Sequence, residues 1–203
     1  TTFDGDGFVD PDLWPSGNDF ANHVTLSPIG RIIAGGLGQD PMTLQQSLAM
    51  LSYRTDGTPD SAFDGDGRLL LGTGLGFTDA VVQPDLRIVA AASVGSQNQV
   101  MKIDRDGSLD TSFSLDGVVT LLGANKVALQ ADGKIVTTGQ RTVSAGNAGV
   151  FTARLLNTIG IATAANVSIR GRVIANTGLP LRNATVIITG AGLEQPRMAI
   201  SNG

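Results

Sequence analysis

The stretch at residues 104–119, DRDGSLDTSFSLDGVV, constrains this chain most, because the same plan is written elsewhere in it. Residues 53–69 read YRTDGTPDSAFDGDGRL, and the chain begins inside a third copy, TTFDGDGFV. Each copy carries a Phe followed by an Asp-Gly turn that launches a β-rich run. Two further stations recur in the same order. One is VTLSPIGRIIAGG from Val24, AVVQPDLRIVAAA from Ala80 and VALQADGKIVTTG from Val127. The other is LAMLSYRTDG, QVMKIDRDG and FTARLLNTIG, ending at Gly57, Gly107 and Gly160. Phe3, Phe63 and Phe113 are spaced by about 60 and about 50 residues, in or near the range of propellers and solenoids.

Alternation and turn chemistry place strands in the third copy at 118–122, 126–130, 134–138 and 150–156. Gly133 in Ala131-Asp132-Gly133 suits a tight hairpin, since glycine takes positive φ at little cost. Pro28 and Pro84 occupy the equivalent turn, where a missing N–H does no harm. The second copy departs from this pattern, with Asp85-Leu86-Arg87 where the third has Asp-Gly-Lys. Longer stretches, DPDLWPSGNDFAN before Val24 and QRTVSAGNAG before Val150, read as insertions confined to turns. With 27 glycines and 16% charged residues, the balance suits short strands and tight turns.

A four-stranded sheet cannot bury both faces alone, so the units must stack, and four-stranded sheets repeated radially make a β-propeller. The expected fold is all-β: about three four-stranded antiparallel blades in an open arc, approximately residues 1–57, 58–107 and 108–160. After a linker at 161–166, IATAAN, the logic changes. Strands at 167–174 and 184–188, with a turn at 176–178 and Pro180 between them, read as the first strands of an incomplete β-sandwich over 167–203. The chain begins mid-motif without Met, so it reads as a fragment whose propeller is completed by further blades of the full-length chain.

The net charge of -4 and the absence of clustered Lys or Arg beside aromatics argue against nucleic acid as a partner. No apolar run approaches the roughly 20 residues of a membrane helix. Without cysteine, disulfides, thiolate metal sites and thiol catalysis are excluded for these residues.

The Asp-rich turns are the candidates for chemistry. Asp4, Asp6 and Asp10, and again Asp104, Asp106 and Asp110, follow a D-x-D-G-x-x-D pattern that copies part of an EF-hand-type Ca²⁺ loop. The acidic twelfth position is lacking, with Leu13 and Phe113 there instead. Solvated hairpins whose Asp side chains cap their own backbone are the preferred reading, so no cofactor is expected, Ca²⁺ in these turns being the alternative. His23 stands alone without a motif that would make it a ligand or base, and is read as structural. Trp14 is read as covering the edge of its own blade rather than stacking on a sugar. Gly35–Gly38, GGLG, weakly echoes a phosphate loop, but no helix follows and a strand-end turn is the better reading. Nothing resembles G-x-S-x-G. The recurring phenylalanines are read as core between blades.

The run DGSLDTSF, then an Asp-Gly before a strand, then VALQADGKIVTTG and FTARL, is similar to the delta-60 repeat. This is a bacterial family assigned to β-propellers in large exported or surface proteins, and the likeness covers roughly residues 1–160. Gly171, Val173, Gly178, Pro180, Leu181, Asn183, Ala184, Val186 and Ile188 resemble the opening signature of a carboxypeptidase regulatory-like domain, a small transthyretin-like or Ig-like sandwich. The resemblances imply a non-enzymatic structural or interaction module, of scaffold or adhesion type, in a large exported bacterial protein at the cell surface or outside the cell. Its partner would be a protein or glycan. The competing expectation is a propeller enzyme acting on a glycan or lactone in the central channel.

Overall fold

The computed structural model describes residues 3–144, 146–157, 182–188 and 197–202. They are all-β, with no helix among them. Two compact units are present, Thr1–Ile159 and Gly160–Gly203.

The first unit holds three antiparallel sheets. β1 (Asn18–Leu26), β2 (Ile32–Gln39), β3 (Gln46–Tyr53) and β4 (Arg68–Thr73) form the first, in that order. β5 (Leu75–Val82), β6 (Ile88–Val94), β7 (Gln97–Ile103) and β8 (Val118–Leu121) form the second. β9 (Lys126–Leu129), β10 (Ile135–Ser144) and β11 (Asn147–Leu155) form the third, which has three strands among the described residues.

Turn chemistry explains the regularity. Ser27, Gln83 and Gln130 each donate N–H to the carbonyl four residues on, at 2.8–2.9 Å. Gly30, Leu86 and Gly133 donate back to them at 2.9 Å. These are three-residue hairpins with a left-handed third position. Leu86 keeps the geometry at φ 71° despite replacing glycine. The hairpin departure expected in the second copy is therefore absent, and the cost falls on one strained backbone position.

Sheet membership corrects the four-strand unit expected from the third copy. Val118–Leu121 pairs with β7 and closes the second sheet, with Val119 opposite Val100. The strand after each internal Phe-turn is thus the outer strand of the preceding sheet, and the chain then crosses to the next. The reason lies in the turn: Phe113 accepts Gly117 N–H at 2.7 Å and Lys102 accepts Asp110 N–H at 2.8 Å. These bonds fold the chain back onto β7. The stretch QRTVSAGNAG is no loop either; β10 and β11 run through it as a lengthened hairpin.

GGLG lies inside β2 rather than at its end. A Cβ at Gly35 would overlap the Phe77 ring, and one at Gly36 the Phe20 carbonyl. Close approach between neighbours, rather than a turn, accounts for both glycines.

The cores lie between sheets. Ile33, Leu48, Met50 and Leu69 of the first sheet meet Phe77, Ile88, Ala90, Met101 and Ile103 of the second, with Phe63 among them. Val89 and Val100, on the second sheet's other face, meet Ile135 and Val127 of the third, with Phe113 among them. Phe63 and Phe113 are 0% and 2% exposed, as expected of core residues between sheets; Phe3 is half-buried.

In the second unit, β12 (Arg182–Ile188) pairs antiparallel with β13 (Arg197–Asn202). Asn183, Ala184, Val186 and Ile188 lie on β12. The strand expected at 167–174, and Gly171, Val173, Gly178, Pro180 and Leu181, lie outside the described residues.

Candidate functional site

Charged groups gather in two places in the first unit. One is the end of the second sheet where the Asp-Gly turns lie. Asp85, Arg87, Asp104, Arg105 and Asp106 line an open groove of about 590 Å³. Arg87 Nε donates to Asp104 Oδ1 at 2.5 Å and its Nη1 to Asp85 at 3.0 Å, and Asp110 lies 3.5 Å away. The Asp104 hydrogen bond in particular pushes the Arg87 pKa up. Beneath them Lys102 Nζ sits 3.1 Å from Asp110 Oδ2, both side chains almost wholly buried, and donates to the Asn157 carbonyl at 3.0 Å. The first sheet repeats the arrangement more simply, with Arg31 Nε 2.5 Å from the buried Asp60.

Of the six candidate Ca²⁺ residues, Asp104 and Asp110 meet at Arg87 and Asp106 lines the same groove, while Asp4, Asp6 and Asp10 make separate contacts. Asp6 Oδ1 accepts from Phe8 N–H, two residues on. Asp106 Oδ1 accepts from the N–H and hydroxyl of Ser108 at 3.1 and 2.7 Å, which pull its pKa down. Asp110 caps Ser112 and faces Lys102; Asp104 faces Arg87. Asp4 donates its N–H to the Asp56 carbonyl at 2.7 Å, and Asp10 stands at the wall of a cavity beside Tyr53. Among the described residues, no three acidic or histidine side chains converge as metal ligands would.

The second gathering links the first strands of the three sheets. His23 on β1, Asp79 on β5 and Lys126 on β9 occupy one station, immediately before Val24, Ala80 and Val127. His23 Nδ1 lies 3.2 Å from Asp79 Oδ1, and its Nε2 2.9 Å from the Ala80 carbonyl. Asp79 also accepts from Val127 N–H at 3.0 Å and has Lys126 at 3.6 Å. Register shifts between Ala21 and His23 and between Phe77 and Asp79 turn these side chains toward the neighbouring sheet, as bulges do. An acceptor stands against each ring nitrogen of His23, the Asp79 carboxylate against one and the Ala80 carbonyl against the other.

Residues 83–113 and 130–158 match the family model described as domain of unknown function (DUF5122) beta-propeller. The sheets are propeller blades. Those segments cover the second blade's hairpin, its Asp106-Gly107 turn and Phe113, and the third blade's last two strands. No curated protein matches the chain.

Trp14 packs across Gly38 of β2 and against Gly17, over the blade next to it. Reading the sequence as motifs passed over Arg31, Arg87, Lys102, Asp60, Asp79 and Lys126. Superposing the recurring stations would have found most of them: Arg31, Arg87 and Lys134 share one place, as do Asp60 and Asp110. No helix among the described residues is long and apolar enough to cross a membrane.

Proposed function

We propose that the chain is a non-enzymatic interaction or structural module, a segment of β-propeller from a large exported bacterial protein. The observation that carries this is the consumption of its ionisable groups by one another. Arg87 is held by Asp104 and Asp85, Lys102 by Asp110, and His23 by Asp79 and a backbone carbonyl. An enzyme needs a base or nucleophile with a free face toward substrate; a module needs rigid turns and a stable surface. Export and a bacterial source rest on the likeness of DGSLDTSF and VALQADGKIVTTG to the delta-60 repeat. The carboxypeptidase regulatory-like reading of residues 167–203 rests on its own signature.

The test is a panel of chromogenic glycosides and lactones, read beside a glycan array. We expect no hydrolysis, with or without retention of a glycan. Turnover that disappears in Asp79→Asn or His23→Ala would replace this reading with a propeller enzyme. The turns need no metal, so thermal unfolding with Ca²⁺ and with excess chelator should coincide. A Ca²⁺-dependent midpoint lost in Asp104→Ala or Asp106→Ala would make them metal sites.

A further inference from the structure

In an Asp-Gly pair the glycine nitrogen can reach the carboxyl before it with no side chain of its own in the way, which makes the pair prone to rearrange in water. The sequence holds eight such pairs, and the fold treats them unequally. Asp6, Asp56, Asp66, Asp106, Asp116 and Asp132 each accept, through Oδ1, the N–H of the residue two places on, at 2.8–3.2 Å. The glycine after each donates its own N–H to a carbonyl three or four residues back, at 2.7–3.0 Å. Both reacting groups of these six pairs are therefore tied, the carboxylate in an Asx-type turn and the nitrogen in a backbone turn. To react, each pair must first give up two hydrogen bonds.

Asp64-Gly65 is built differently. Among the described residues nothing bonds the Asp64 carboxylate or the Gly65 N–H. Both residues are exposed, and a Cβ placed on Gly65 would meet nothing within 4 Å. Gly5, at the same place in the first turn, has a contact of its own. The second blade has Ser114-Leu115 there, a pair without a carboxyl.

What is held at Asp64 is its main chain. Its N–H donates to the Asp106 carbonyl at 2.7 Å, joining the Phe63 turn to the Asp-Gly turn of the second blade. Its φ of 50° is left-handed. Its Cβ lies 3.0 Å from where a Cβ on Gly107 would stand, so the two turns are closely packed.

We propose that Asp64-Gly65 is a site of spontaneous covalent modification, the first place at which the folded chain converts to isoaspartate. The Gly65 nitrogen attacks Asp64 Cγ. An N–Cγ bond forms, the Cγ–OH bond breaks, and the hydroxyl leaves with the nitrogen's proton as one water. The five-membered succinimide then takes up a water at either carbonyl. Opening at the former main-chain carbonyl breaks its bond to the Gly65 nitrogen, leaves that carbon as a free carboxylate and routes the chain through Cβ and Cγ. The step needs only water. Its product carries one more main-chain carbon where Asp64 packs against Gly107, so the joint between these two turns loosens as the protein ages.

The test is a time course on the full chain at neutral pH. Samples are digested with trypsin, and the peptide spanning residues 55–68 is resolved by chromatography and electron-transfer fragmentation. Isoaspartate should accumulate at Asp64 severalfold faster than at Asp56 or Asp66 in the same peptide, and faster than at every other Asp-Gly pair, after a succinimide one water lighter. Asp64→Ser should fold, since Ser114 holds the same backbone at φ 55°, and should remove the signal. In urea the preference should vanish and the eight pairs should react at comparable rates, because the hydrogen bonds that protect six of them are gone. Three outcomes overturn the proposal: another Asp-Gly pair of the folded chain converting as fast as Asp64, the same preference for Asp64 persisting in urea, or no conversion at Asp64 while the unfolded chain converts.

Discussion

Lys102 and Asp110 meet at 3.1 Å with their side chains only 3% and 5% exposed. At Lys102's place in the first blade stands Ser52, so this charge is buried in one blade alone. A buried ion must be paired, and removing one partner costs more than replacing both. Asp110→Ala should lower stability by about 3–5 kcal/mol, while a Lys102→Met/Asp110→Leu pair recovers most of it. Urea unfolding of the three proteins decides. A double variant no better than Asp110→Ala would mean the pair is not the source of the loss.

The same carboxyl sets a pH dependence. Burial by itself would raise the Asp110 pKa, but the Ser112 hydroxyl and the Lys102 ammonium outweigh it, and the pKa lies below its ordinary value of 3.8. A group whose pKa is depressed by folding stabilises the native state above its unfolded value, and that contribution fades as pH falls through the folded one. The stability gap between the native chain and Asp110→Asn should therefore hold from neutral pH down to about 4 and close below it. The exposed carboxyls Asp56, Asp106 and Asp132, also held low by their turn partners, are common to both proteins and cancel. Urea midpoints that stay equally far apart well below pH 4 would contradict the assignment.

Leu115 sits at φ 72° and is 80% exposed, where the other two Phe-turns have Gly5 and Gly65 at φ 81° and 83°. Left-handed backbone costs a residue with a Cβ about 1–2 kcal/mol, part of which glycine returns through its freer unfolded chain. Leu115→Gly should raise stability by about 0.5–1 kcal/mol. Gly65→Leu should lower it. A thermal melt that reverses either sign would show that side-chain contacts, not backbone conformation, set these turns.

Gly35 and Phe77 are coupled across the first two blades, since a Cβ on one would overlap the ring of the other. Gly35→Ala should cost about 1–3 kcal/mol through overpacking. Phe77→Leu loses contact area but makes room, so the double variant should be more stable than the sum of the single losses predicts. Strict additivity in a double-mutant cycle would argue that the ring simply moves aside.

Local chemistry carried much of this fold into the sequence. Asp-Gly turns, alternating runs such as KIVTTG and the recurrent Phe placed strands and core because turn geometry and side-chain period act over a few residues. The self-capping of Asp6 and Asp106 was legible for the same reason. Three features were not. Val118–Leu121 could be assigned to the second blade only once the Phe113 turn was seen to fold back onto β7. Gly35 and Gly36 looked like a turn until Phe77 and the Phe20 carbonyl were found against them. His23, Asp79 and Lys102 gave no motif, because their partners come from neighbouring sheets or distant turns. The sequence by itself determined strands, turns and the order of stations. Which sheet a strand joins, and which charges are buried together, was decided by packing between segments tens of residues apart.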